Sequence, residues 1–177
     1  MFYALMVDSN GNGVGSHAYA EDPKTYPANE ISCTQAQAQN PSAYQVANGV
    51  IVESLSAAQA THISLLQAGY HSAVNAPVSF KNAAGITSSY PSGATILFNG
   101  QKAKNLLSEI LSAGSSAWTL GKWLDVNNVA QTFTFADLQS LASTMEAVIT
   151  LDWSALVSKI AEVQAATTVA EVQAITF

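Results

Sequence analysis

The chain has 177 residues and a formal charge of −6, from six basic against twelve acidic side chains. All six basic residues are lysines, and only 10% of the chain is charged, against roughly a quarter in an ordinary soluble domain. Lacking arginine's bidentate fork and carrying net negative charge, it is expected to bind neither nucleic acid nor acidic membrane.

No stretch approaches the roughly 18 to 20 uninterrupted apolar residues of a membrane-spanning helix. The opening apolar run has no basic residues before it and stops at Asp8, so neither membrane insertion nor a secretory signal is expected. Gln, Asn, Ser and Thr hold the surface positions that charged residues usually take. A surface with so little charge repulsion suits a subunit of a larger assembly. With Cys33 as the only cysteine, neither an intramolecular disulfide nor a cysteine-based zinc site is expected.

In chain order, residues 2–7 and 16–20 predict two strands of a hairpin around the turn-rich stretch that follows Asp8. The glycines at 11, 13 and 15 lack the spacing and the Lys-Ser/Thr of a phosphate loop, so they read as a hairpin tip. A loop with Pro23 and Pro27 follows, then a short helix opened by a capping box of Thr34 and Gln37 and closed at Asn40-Pro41. Residues 44–53 predict a second hairpin about Asn48-Gly49.

Ser56 and Gln59 suggest another capping box, and a helix is expected over 56–74. That helix has no charged residue, so it predicts either burial against partners or an oligomerisation stalk with 55, 62 and 69 at one seam. Leu55, His62, Leu65, Leu66, Gly69 and Ala73 are its candidate interface residues.

A hairpin over 75–91 turns at 82–85, and a helix from about 100 to 112 presents Ala103, Leu106, Leu107, Ile110 and Leu111 on one face. Residues 118–135 read as two strands around Asn127-Asn128. Two helices are then expected, one capped by Thr134 to Asp137 and running to about 149 and one over 152–165, the second with Trp153, Leu156, Ile160 and Val163 on its apolar face. Thr168 and Glu171 cap a last helical turn. Recurring hairpins followed by short helices predict an α+β fold: a small β-rich N-terminal module (1–53), a connecting or oligomerisation helix (54–74) and an α+β C-terminal domain (75–177).

The catalytic inventory is thin, and no enzyme, cofactor or metal site is expected. His17, His62 and His71 lack partners at metal-ligand spacing, no nucleophile elbow occurs, and Glu21-Asp22 reads as a solvated turn. A glycan depolymerase would need two carboxylates about 5 to 10 Å apart, which twelve scattered acids do not suggest.

The stretch from about residue 66 to 177 resembles a domain of unknown function found in tail and tail-fibre-associated proteins of tailed bacteriophages. YHSAVNAPVSF at 70–80, the hairpin ending Gly85-Ile86-Thr87, the helix from Gln101 to Leu111, TFTFADLQ at 132–139 and the ending AATTVAEVQAI at 165–175 carry the likeness. The first 53 residues are similar, more loosely, to the small N-terminal module of phage fibre and fibre-assembly proteins, although the helix here is Gln/Ala-rich and lacks the usual acidic and aromatic residues. The resemblance implies a structural protein of the virion tail, a fibre or fibre-to-tail adaptor made in the host bacterial cytoplasm. It implies contacts with copies of itself, three by analogy with such fibres, with other tail proteins and with a host surface receptor. A fibre-assembly chaperone that leaves the finished particle is the alternative.

Overall fold

The periodicities above resolve in a computed structural model that describes residues 1–97 and 100–177. In chain order these residues form β1 (Phe2–Val7), β2 (Gly13–Tyr19), β3 (Glu30–Cys33), α1 (Gln35–Gln39), β4 (Tyr44–Ala47), β5 (Val50–Glu53), α2 (Leu55–Asn75), β6 (Val78–Lys81), β7 (Thr87–Tyr90), α3 (Ala103–Ala113), β8 (Lys122–Leu124), β9 (Ala130–Thr132), α4 (Phe135–Ala165) and α5 (Val169–Ala174). The fold is α+β, with every strand pairing antiparallel. Packing divides the chain into two compact units, residues 1–65 with 159–176 and residues 66–158 with 177.

In the first unit β1 is central, between β2 and β3. β3 was not anticipated, since four residues after a proline-rich loop carry little periodicity. It forms because β1 offers a free edge of backbone donors and acceptors that a neighbouring segment satisfies. Leu5 pairs with Ser16 and Ile31, and the Ser16 hydroxyl donates to the Ala38 carbonyl at 2.7 Å, so this face of the sheet is the one covered by α1. The Thr34–Gln37 capping box is present as expected.

The glycine-rich tip has a packing role beyond the turn. A Cβ at Gly13 would lie 2.0 Å from the Pro41 carbonyl oxygen, closer than any side chain tolerates. Gly11, at φ +82°, accepts from the Val46 amide at 2.7 Å, so the tip seats against the start of the second hairpin. That hairpin turns at Asn48 and Gly49, whose φ angles of 52° and 76° are those of a primed two-residue turn.

Helix α2 begins one residue before the expected start. The cap is Ser54, whose hydroxyl accepts from the Ala57 amide at 3.3 Å; the Ser56–Gln59 box does not form. The Gln59 side chain instead donates to the carbonyls of Val163 and Ala166, at 3.0 and 3.3 Å, where α4 ends. Thr168 and Glu171 make the capping box of α5.

The second unit packs around Val78, Tyr90, Leu107, Trp123, Phe133, Leu138, Leu141 and Met145. Hairpins β6–β7 and β8–β9 and helix α3 supply one side of this core. The two helices expected at 134–149 and 152–165 are one, α4. Residues 135–165 contain no Gly or Pro, so nothing interrupts the backbone ladder across Thr150, Leu151 and Asp152. Trp153, assigned to the apolar face, is 55% exposed, whereas Leu156 and Val163 are buried. The third helix starts at Ala103 rather than 100, because Gly100 holds φ +82°.

The Tyr90 hydroxyl lies in this core without a hydrogen-bond partner among the described residues. Burial pushes its pKa up, and the charges of Asp125 and Asp137 push it further. Its desolvation is uncompensated, so Tyr90→Phe is expected to leave stability unchanged or raised by up to about 1 kcal/mol. Urea unfolding measures this, and a clear loss would mean that the hydroxyl is satisfied in solution.

Candidate functional site

The six candidate interface residues of α2 do not form one exposed stripe. Leu55, His62, Gly69 and Ala73 are half-buried and Leu66 is buried, while Leu65 is 62% exposed. Within the first unit the His62 Nε2 donates to the Ile175 carbonyl at 2.7 Å. Within the second, a Cβ at Gly69 would meet the Phe177 ring at 3.4 Å. The seam positions 62 and 69 therefore lie against the chain's own C-terminal residues.

The other histidines also stand apart. On the first sheet, His17 Nδ1 lies 2.6 Å from Glu30 Oε1, and the Tyr19 hydroxyl donates to Glu30 Oε2. Register explains this: Ala4 sits opposite His17 on β1, and its small side chain lets the Glu30 carboxylate reach across from β3. His71 is exposed and packs against Tyr70. Cys33 is half-buried, and burial raises its thiol pKa. Among the described residues, no three His, Cys, Asp or Glu side chains are grouped to hold a metal ion, and no helix is long and apolar enough to cross a membrane.

The most developed surface feature is a cleft in the second unit with a volume of about 380 Å³. The segment after β7, the half-buried edge of α3 at Leu106 and Ile110 and the start of the β8–β9 hairpin line it, with Trp118 and Trp123 side by side at 6.4 Å. Its lining is overwhelmingly apolar. Ile96 and Leu120, at its mouth, are 63% and 73% exposed, and Leu124 and Val126 are also exposed. Sequence reasoning missed this cleft. The signal in the sequence was Trp118 and Trp123, which could line a pocket but read more simply as core residues.

One buried aspartate, Asp125, lines the cleft, and a second, Asp137, lies elsewhere in the same unit. Asp125 Oδ1 accepts from the amides of Asn127 and Val129, at 2.9 and 3.0 Å, and Oδ2 from Ser88 and Gln131 at 2.9 and 3.2 Å. One carboxylate thus shapes the β8–β9 turn and fastens it to β7. Asp137 caps α4 by accepting from the Thr134 amide and hydroxyl, at 2.8 and 2.7 Å, while its other oxygen accepts from the Ala83 amide at 2.8 Å. The Trp118 indole donates to the Phe133 carbonyl at 2.9 Å, fixing one ring of the cleft.

The amide of Val129 chiefly holds the Asp125 pKa below its ordinary value, with Ser88, Gln131 and Asn127 adding to the effect against burial. At Asp137 burial is the largest single influence and pushes upward, but the bonds from Thr134 and Ala83 together outweigh it and the pKa is lowered. A lowered folded value means that the stabilisation is complete above the ordinary carboxyl value of 3.8 and is lost as pH falls through the folded values. Asp125→Asn is therefore expected to melt several degrees below the wild type near pH ~7, with a narrower gap near pH ~2. Thermal melts at the two pH values check this, and a gap that stays constant would contradict it.

No protein-family model matches the chain, and no curated protein or solved structure is significantly similar to it.

Proposed function

We propose that the chain is a structural component of a tailed-phage virion, a tail fibre or fibre-to-tail adaptor that acts by protein–protein contact in host attachment. The observation that carries this reading is the apolar cleft with Ile96 and Leu120 projecting at its mouth. Exposed aliphatic groups around an aromatic-lined depression favour burial against another protein, because water gains nothing from solvating them.

Charge supports the same reading. Between Ser54 and Gln101 the only charged side chain is Lys81. The second unit holds four of the six lysines against five acids and is close to neutral, so it approaches a partner without strong repulsion. The phage-tail likeness at 70–80, 132–139 and 165–175 supplies the virion context.

Mass spectrometry of purified virions tests the proposal. The chain is expected in the particle at a stoichiometry matching the tail's symmetry. Presence in infected cells but absence from particles would identify it instead as an assembly chaperone.

A further inference from the structure

We propose that a second cleft, formed within the second unit between the end of α2, the segment at Gly93 and the start of α3, binds a small acidic saccharide. This cleft has a volume of about 440 Å³, within the range of small-ligand sites. Its lining is more polar than that of the apolar cleft, with Tyr70, His71, Asn75, Lys102, Lys104 and Asn105 beside the apolar Val74, Ala94 and Ile149. Gly93 lets the intervening segment seat directly against Lys104 and Ile149, since a Cβ there would lie 3.1 to 3.3 Å from their side chains. The inference does not depend on a virion location.

The polar groups divide into those already engaged and those free for a ligand. Lys104 is paired with Glu146, so its charge is compensated. Asn75 spends its amide nitrogen on the His71 carbonyl at 2.7 Å and keeps its side-chain oxygen as an acceptor. Lys102, the Asn105 side chain, the Tyr70 hydroxyl and the His71 ring make no hydrogen bond or ion pair with the described residues. One uncompensated cation thus stands among several neutral donors and acceptors.

That balance selects the ligand class. A phosphate needs several amides or cations at once. Here the first amides of α3 are taken, Ala103 by the Thr95 carbonyl at 2.9 Å and Lys104 by the Gly93 carbonyl at 3.1 Å. A ligand with one carboxylate and several hydroxyls fits better: the carboxylate pairs with Lys102, and the hydroxyls exchange hydrogen bonds with the two asparagines and Tyr70. The Tyr70 ring, held edge-to-face by Trp153 at 5.7 Å, offers the apolar face of a sugar ring a surface to lie on.

Isothermal titration calorimetry of the full chain with sodium glucuronate, glucose, acetate and inorganic phosphate tests the proposal. Glucuronate is expected to bind about tenfold or more tightly than glucose, since the latter lacks the charge-assisted bond to Lys102. Acetate and phosphate are expected not to saturate in the same range. Lys102→Met and Asn105→Ala are each expected to weaken glucuronate about tenfold, with Lys122→Met, outside the cleft, unchanged. No glucuronate binding, binding indifferent to both cleft variants, or phosphate binding as well as glucuronate would overturn it.

Discussion

Replacing Phe133 with alanine is expected to cost about 3 to 5 kcal/mol, a large fraction of the stability of an ordinary domain. Phe133 is 2% exposed, and its ring lies 5.2 Å from Tyr90 and 5.7 Å from Phe80. Its backbone is fixed as well, the amide donating to Gly121 at 2.9 Å and the carbonyl accepting from Trp118. With both main-chain groups held, the surroundings collapse poorly around the missing ring, and the cost falls towards the upper end of the range. Urea unfolding followed by tryptophan fluorescence reads the loss, since Trp118 and Trp123 belong to the same packing. A loss under about 1 kcal/mol would place Phe133 outside the core.

The second large effect concerns assembly. The double replacement Ile96→Asp and Leu120→Asp puts two carboxylates at the mouth of the apolar cleft, where burial against a partner would strand them without counter-charges. Incorporation into virions is expected to fall at least about tenfold, corresponding to the loss of one buried anchor of ~2 kcal/mol. Both side chains are exposed in the isolated chain, so its melting temperature is expected to stay within a few degrees of the wild type. Normal incorporation would remove the cleft as the contact surface.

Much of the local structure was legible because the signals are short-range. Asn48-Gly49 specified its turn through two residues that tolerate positive φ, and Thr34 and Thr168 specified helix starts by satisfying amides three residues away. The capping of α4 by Thr134 and Asp137 was legible for the same reason, whereas the bond from Asp137 to Ala83, across 54 residues, was not. The misread break at 150–152 shows the limit of cap-like residues as signals: a polar Thr and Asp permit a helix to stop but do not compel it.

The candidate sites were less legible. The six positions on α2 were chosen by spacing alone, and spacing does not report that the C-terminal residues lie against positions 62 and 69. Both clefts join residues from separate elements, so no window of the sequence contains either one.

By itself, the sequence determined the α+β class, most hairpins and helix starts, and a charge-poor middle, because backbone propensity, turn chemistry and charge act over a few residues. Tertiary structure decided that the edge of β1 recruits β3, that residues 159–176 return to pack with the first 65, and that Asp125 joins two hairpins around an apolar cleft. Each of these rests on a partner far away in the chain: an unpaired strand edge, an open helix end or a buried carboxylate is satisfied by whichever segment the fold brings to it.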